Sequence, residues 1–276
     1  MPDEFKTGDG SRIIAKGTKT FSKSVDRISS RFVRDVVKEL EKMDTKSGQV
    51  LSDNKKNRDF VSQTRGRIRK VLERLGYFGM VNDFSFNFNT LSRYLVFVQK
   101  KVNQLSIKST FITPFRQNAI TQVMFDLQGQ GLDANLIKPI QQQMQKAVRL
   151  GGNWIDMSDN VESFLKQGKN GKLGRLAEQG SMDALGQFNG LVNDKIRTEF
   201  GLENVRYIGS IIEDSRPQCI RWTTMKEFPV SDLPSEIGWA ERNGTGWIQG
   251  TTPGTFFQNR GGYRCRHEAI PTRKKD

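Results

Sequence analysis

Histidine and cysteine are nearly missing: 276 residues hold one His, two Cys and four Tyr. Two cysteines cannot build the disulfide framework of a small secreted domain. A single histidine, no paired-carboxylate motif and no phosphate loop argue against an enzyme such as a nuclease or toxin; Gly129-Gln-Gly131 lacks the rest of a phosphate-binding pattern. No apolar run approaches the roughly 20 residues of a membrane helix. The opening residues, Met1-Pro-Asp-Glu-Phe-Lys6, carry no apolar leader segment. The expectation is a soluble protein made in a reducing cytoplasm. Hydrophobic content is 35% and mean hydropathy −0.60, low for a compact enzyme but suited to extended helices and partner-dependent surfaces. The length accommodates one or two domains.

Positive charge is abundant and uneven. Net charge is +14, and residues 1–150 hold 27 Lys/Arg against 14 Asp/Glu, while residues 151–276 hold 17 against 16. Such asymmetry points to a basic arm meeting a polyanion and a remainder meeting protein, or to a solvated helical surface. The densest basic stretch, with Arg65, Arg67, Arg69, Lys70 and Arg74, is the candidate for lying along phosphates.

The spacing predicts a mainly α-helical basic N-terminal region and a small, turn-rich α+β C-terminal domain. Residues 1–20 read as a flexible tail, 21–172 as the helical region and 173–276 as the C-terminal domain, with a soft boundary near 170–180. A first helix is expected over about 22–43, capped by Ser22 or Ser24, with Val25, Ile28, Phe32, Val33, Val36, Val37 and Leu40 on one face. Residues 44–56 read as a loop, and 57–76 as a second helix. Phe84, Phe86 and Phe88 alternate with polar residues, which predicts a short strand or extended arm packed on protein. Helices follow at about 90–105, 114–128, 133–150, 158–168 and 173–200, with Pro114 in a first turn. Val205–Ile212 reads as a strand, after which Trp222, Trp239 and Trp247 anchor a turn-rich end.

Both cysteines and the histidine fall in two short motifs, Asp214-Ser-Arg-Pro-Gln-Cys219 and Asn259-Arg-Gly-Gly-Tyr-Arg-Cys265-Arg-His267. Asp214, Arg216, Asn259, Gly261, Gly262 and Arg266 are candidates for joining the motifs, with Arg216 suited to a bidentate carboxylate contact. Three chemistries fit the remainder. Cys219, Cys265 and His267 could bind zinc, with Asp214, Glu268 or another group as fourth ligand, although Cys-x-His lacks zinc-finger spacing. The cysteines could form a disulfide after release into an oxidising environment. They could also be two small buried thiols beside a hydrogen-bonded histidine. Catalysis by Cys265, flanked by Arg264 and Arg266, is weaker, because a Cys–His nucleophile needs an orienting third group. Zinc is the only cofactor in view.

The run from Val205-Arg-Tyr-Ile-Gly-Ser through Cys219, its partner Asn259–His267, and the preceding helix with Asn189, Asp194 and Arg197 resemble the minor head proteins of tailed bacteriophages, the head morphogenesis proteins similar to protein F of phage Mu. The resemblance covers about 173–271. In the commoner form a His precedes the second Cys; here Gly-Gly-Tyr-Arg precedes it and His267 follows. The resemblance implies a structural virion component present in few copies around the portal vertex. It would be made in the bacterial host cytoplasm, act in head assembly and DNA delivery, and contact the portal protein, other capsid or neck proteins and, non-specifically, packaged double-stranded DNA. The rival reading is a DNA-binding, zinc-stabilised protein of genome packaging or ejection.

Overall fold

The computed structural model describes residues 5–52, 54–168, 170–263 and 265–274. It has a mainly helical α+β fold with two small antiparallel sheets. Among the described residues, no helix is long and apolar enough to cross a membrane.

The chain begins with one long helix, α1 (Asp9–Leu40). The expected tail is therefore helical from Asp9, and the start is set well before Ser22. Asp9 marks the start: its carboxylate accepts the amide of Lys6, three residues ahead, at 2.8 Å, which fixes the turn leading into the helix. Ser24 instead donates back to the Thr20 carbonyl. Buried Ile14, Phe21, Val25, Ile28, Phe32 and Val36 recur at helical spacing.

The segment expected as a loop contains a minimal hairpin, β1 (Thr45–Lys46) and β2 (Gln49–Val50), turned by Ser47 and Gly48 at positive φ. The fully buried Asn57 ties it down, donating to the Asp44 and Leu51 carbonyls and accepting the Asp44 amide. The expected second helix is split at Gln63 into α2 (Lys55–Ser62) and α3 (Thr64–Arg74).

The phenylalanine repeat is not a strand. It spans α4 (Tyr77–Ser85) and α5 (Asn87–Asn103). A four-residue interval satisfies a helical repeat as well as a strand repeat, so Phe84 and Phe88 fit both. Phe84 is buried with its ring 5.0 Å from Phe21, and Phe88 is buried edge-to-face on Phe188 at 5.4 Å. Phe86 is 65% exposed, which corrects its expected burial.

Next come α6 (Ser109–Leu127), α7 (Gln130–Leu132), a π-turn at Asp133–Ile137, α8 (Lys138–Leu150), α9 (Trp154–Lys166) and α10 (Gly171–Glu199). Pro114 lies inside α6, because that helix starts five residues earlier. Gly151 and Asn153 punctuate the chain around 150, Gly151 in the left-handed conformation and Asn153 as an N-cap accepting two amides.

The C-terminal segment holds β3 (Asn204–Ile208), α11 (Pro217–Met225), β4 (Glu227–Pro229), a 3-10 turn (Val230–Asp232), α12 (Leu233–Asn243), α13 (Phe256–Asn259) and β5 (Glu268–Thr272). The sheet order is β4-β3-β5, antiparallel throughout. Trp222 is fully buried and meets the rings of Tyr207, Phe256 and Trp247 at 5.1–5.9 Å.

By internal contacts the chain divides into two compact units, each assembled from separated stretches. One comprises residues 1–18, 85–122 and 181–276; the other comprises 19–84 and 123–180. This partition does not follow the expected linear boundary near 170–180.

Candidate functional site

The two cysteine motifs meet in the C-terminal sheet region. Cys219 comes from the first turns of α11, which Pro217 opens. Cys265 and His267 lead into β5, and Tyr207 comes from the central strand β3. Strand alternation turns Val205 and Tyr207 inward, which brings the phenol within reach of the two sulfurs.

The polar atoms form a tight cluster. The sulfurs of Cys219 and Cys265 are 4.0 Å apart, and the Tyr207 hydroxyl lies 3.6 and 3.4 Å from them. His267 Nδ1 is 3.8 Å from Cys265 Sγ, and the imidazole stacks on the Tyr207 ring at 5.4 Å. Cys219, Cys265 and His267 are all buried, and their ligand atoms lie within 4.8 Å of one another. Both cysteines are free thiols in this structure.

Two glycines make room for the cluster. A Cβ at Gly261 would fall 2.3 Å from Cys219 Sγ and 2.9 Å from Cys265 Sγ; one at Gly209 would fall 2.2 Å from the His267 ring. Backbone thus presses on the cluster from two sides, and no side chain could occupy either position without displacing it.

Arg216 joins the two motifs, but not through a carboxylate. Its guanidinium donates to the backbone carbonyls of Gly261, at 2.8 Å, and Tyr263. Asp214, expected beside it, sits in an exposed turn. Gln218, which the sequence reading passed over, adds a second clasp: it donates to the Thr245 and Gly261 carbonyls and accepts the Thr245 amide. Asn259 donates to Thr251, Gly262 takes φ +100, and Arg266 is exposed at the rim. Arg264 lies outside the described residues.

The surroundings shift the two thiols in opposite directions. Cys265 is held well below the ordinary thiol range, first by the hydrogen bond from Cys219, then by His267, Arg260 and Tyr207, against the opposing effect of burial. Cys219 is pushed up by its bond to Cys265 and by burial. Of the two, Cys265 is the readier to lose its proton. The Tyr207 phenol is driven up by burial and by the neighbouring sulfurs.

Glu268 belongs to a different network. Its carboxylate accepts from the Tyr94 hydroxyl at 2.9 Å and from Asn189 at 3.3 Å. Burial pushes its pKa up to about 7. It is thus not the fourth ligand that its place in sequence suggested. Gln99, Asn103 and Asn193 extend the network to the Pro271 carbonyl. Asn189 was a residue of the resemblance, and its role here is to hold α10 to β5.

A cavity of about 630 Å³ opens beside the cluster. The start of α1 with Asp9 and Arg12 lines it on one side, and Arg216, Cys219, Cys265 and His267 on another.

The basic stretch behaves differently. Arg65 and Arg69 both pair with Asp133, at 2.6 and 3.2 Å. Arg67 lies 3.6 Å from Glu39 and over the Phe60 ring, and Arg74 pairs with Asp35 at 3.0 Å. Lys70 is exposed, with no carboxylate near it among the described residues. Four of these five side chains thus meet an acid of the same chain, which lowers the charge α3 presents outward.

Comparison with protein families, curated proteins and solved structures finds no match.

Proposed function

We propose that this chain is a structural minor head protein of a tailed-phage virion, associated with the portal vertex and acting in head assembly. The reading rests on the resemblance of residues 173–271. What supports it in the structure is the convergence of the two motif halves. Arg216 and Gln218 from the first both donate to the Gly261 carbonyl of the second, and Cys219 meets Cys265. Motifs that recur as a pair in one family are expected to form one unit, and these do. Residues that carry the resemblance serve as fasteners: Asn189 on Glu268, Arg197 on Asp194 and Arg216 on the Gly261 turn.

The test is co-assembly with the portal protein of the phage that carries this chain. Purified together, the two should migrate as one ring complex at a fixed ratio, insensitive to nuclease. If the chain stays off the ring and instead binds duplex DNA with a steep salt dependence, the DNA-binding reading replaces this one.

A further inference from the structure

We propose that Cys219, Cys265 and His267 hold one zinc ion, with a solvent molecule in the fourth position on the cavity side. Four observations carry this. The first is distance. Tetrahedral zinc with bonds of about 2.3 Å to sulfur and 2.0–2.1 Å to nitrogen places its ligand atoms roughly 3.5–3.8 Å apart. The observed separations are 4.0 Å between sulfurs and 3.8 Å from Cys265 Sγ to His267 Nδ1. Those two pairs need a contraction of a few tenths of an ångström, and the remaining pair, Cys219 to His267, lies within 4.8 Å and closes by about 1 Å at most.

The second is the state of the histidine. His267 is only 6% exposed, its Nε2 has no hydrogen-bond partner, and its Nδ1 has only the sulfur. A buried imidazole nitrogen that meets only sulfur is costly, and a metal bond at Nδ1 would satisfy that nitrogen, with Nε2 then carrying the ring proton. The third is the cradle. Gly209 and Gly261 bring backbone so close that a Cβ would strike the ring or the sulfurs. The fourth is donor chemistry. Two thiolates and an imidazole are a soft set that selects zinc over magnesium or calcium.

The open position follows from what surrounds the three ligands. Among the described residues no further Cys, His, Asp or Glu joins the cluster. Glu268 is engaged by Tyr94 and Asn189. The cavity is lined by all three ligands, so the uncovered corner faces it. Tyr207, within 3.6 Å of both sulfurs, is placed to donate to the bound thiolates and tune them.

The experiment uses the full chain, purified without chelator and measured for metal. One zinc per chain is expected, surviving dialysis and released by a thiol-modifying reagent together with two thiols. Cobalt loading should give tetrahedral visible bands and a near-ultraviolet thiolate charge-transfer band, and added azide should shift the visible bands. Cys219→Ser should abolish the metal. Because that variant could also unfold, His267→Cys provides the control: it retains zinc and raises the charge-transfer intensity by about half, as three thiolates replace two. Two native thiols that titrate freely with no zinc or cobalt bound would overturn the site, as would a disulfide between them. Cobalt bands indifferent to azide would overturn the open fourth position.

Discussion

Replacing Arg216 with alanine tests whether the two motifs are held together as described. The guanidinium contributes two charge-assisted bonds, to Gly261 and Tyr263 carbonyls. Hydrogen bonds to charged groups contribute about 1.5–3 kcal/mol each. Two features reduce the loss. Gln218 still donates to the Gly261 carbonyl at 2.9 Å, and Tyr263 is exposed, so water can reach its carbonyl. Neither acceptor becomes a buried orphan, and the expected cost is therefore about 2–3 kcal/mol rather than the full sum. For a chain of this size that lowers the melting temperature by roughly 4–12 °C. The assay is thermal unfolding followed by near-ultraviolet circular dichroism, which reports the Trp222 and Trp247 cluster. Arg216→Lys should recover less than half, because one ammonium cannot reproduce a planar fork that serves two carbonyls. A melting curve shared by wild type and Arg216→Ala would refute the clasp.

Other outcomes follow from separate parts of the molecule. Glu236 is held below the ordinary carboxylate value, first by the two bonds from Arg221 and also by Trp222. A depressed folded-state pKa stabilises above the unfolded value and is lost as the pH falls through the folded one. Acid titration of stability should therefore show a limb below the ordinary carboxylate range, which Glu236→Gln shrinks. Phe88→Ala should cost about 3–5 kcal/mol in chemical denaturation, because a fully buried ring is removed, whereas Phe86→Ser should stay within about 0.5 kcal/mol. If α3 lies on phosphates, Lys70→Glu should reduce the log–log salt slope of DNA binding by about one without changing the melting temperature. Reversing Arg65 and Arg69 should also lower the melting temperature, because both would then face Asp133 with like charge.

The fold class and several helices were readable because their patterns are long. The apolar repeat of α1 is continuous from Val25 to Leu40, and the alternation of β3 marks Val205 and Tyr207 as one inward face. The same repeat extends back to Ile14, but polar and glycine residues between 1 and 20 hid it. The Phe84–Phe88 segment misled because its spacing is shared by two periods, and only the burial of the ends against the exposure of Phe86 separates them.

At the site, the two cysteines and His267 were legible as rare residues in paired motifs. That they meet depends on loop closure, which sequence spacing cannot set. Tyr207 was within reach of the strand alternation, since it lies on the buried face just before Gly209. Gln218 and Gly209 gave no such signal: one is a common polar residue beside a cysteine, the other a glycine at negative φ whose need appears only when His267 is placed against it. Arg216 stood out in the sequence for a carboxylate contact, yet its acceptors are carbonyls, and backbone acceptors carry no sequence mark.

The proposed place of the chain is the portal vertex of a phage particle. The most direct measurement is a low-resolution map of intact particles carrying a tagged copy of this chain. A portal-vertex protein places tag density at the single portal-bearing vertex, in a few copies per particle. Particles lacking the chain, or tag density spread over all vertices, would contradict it.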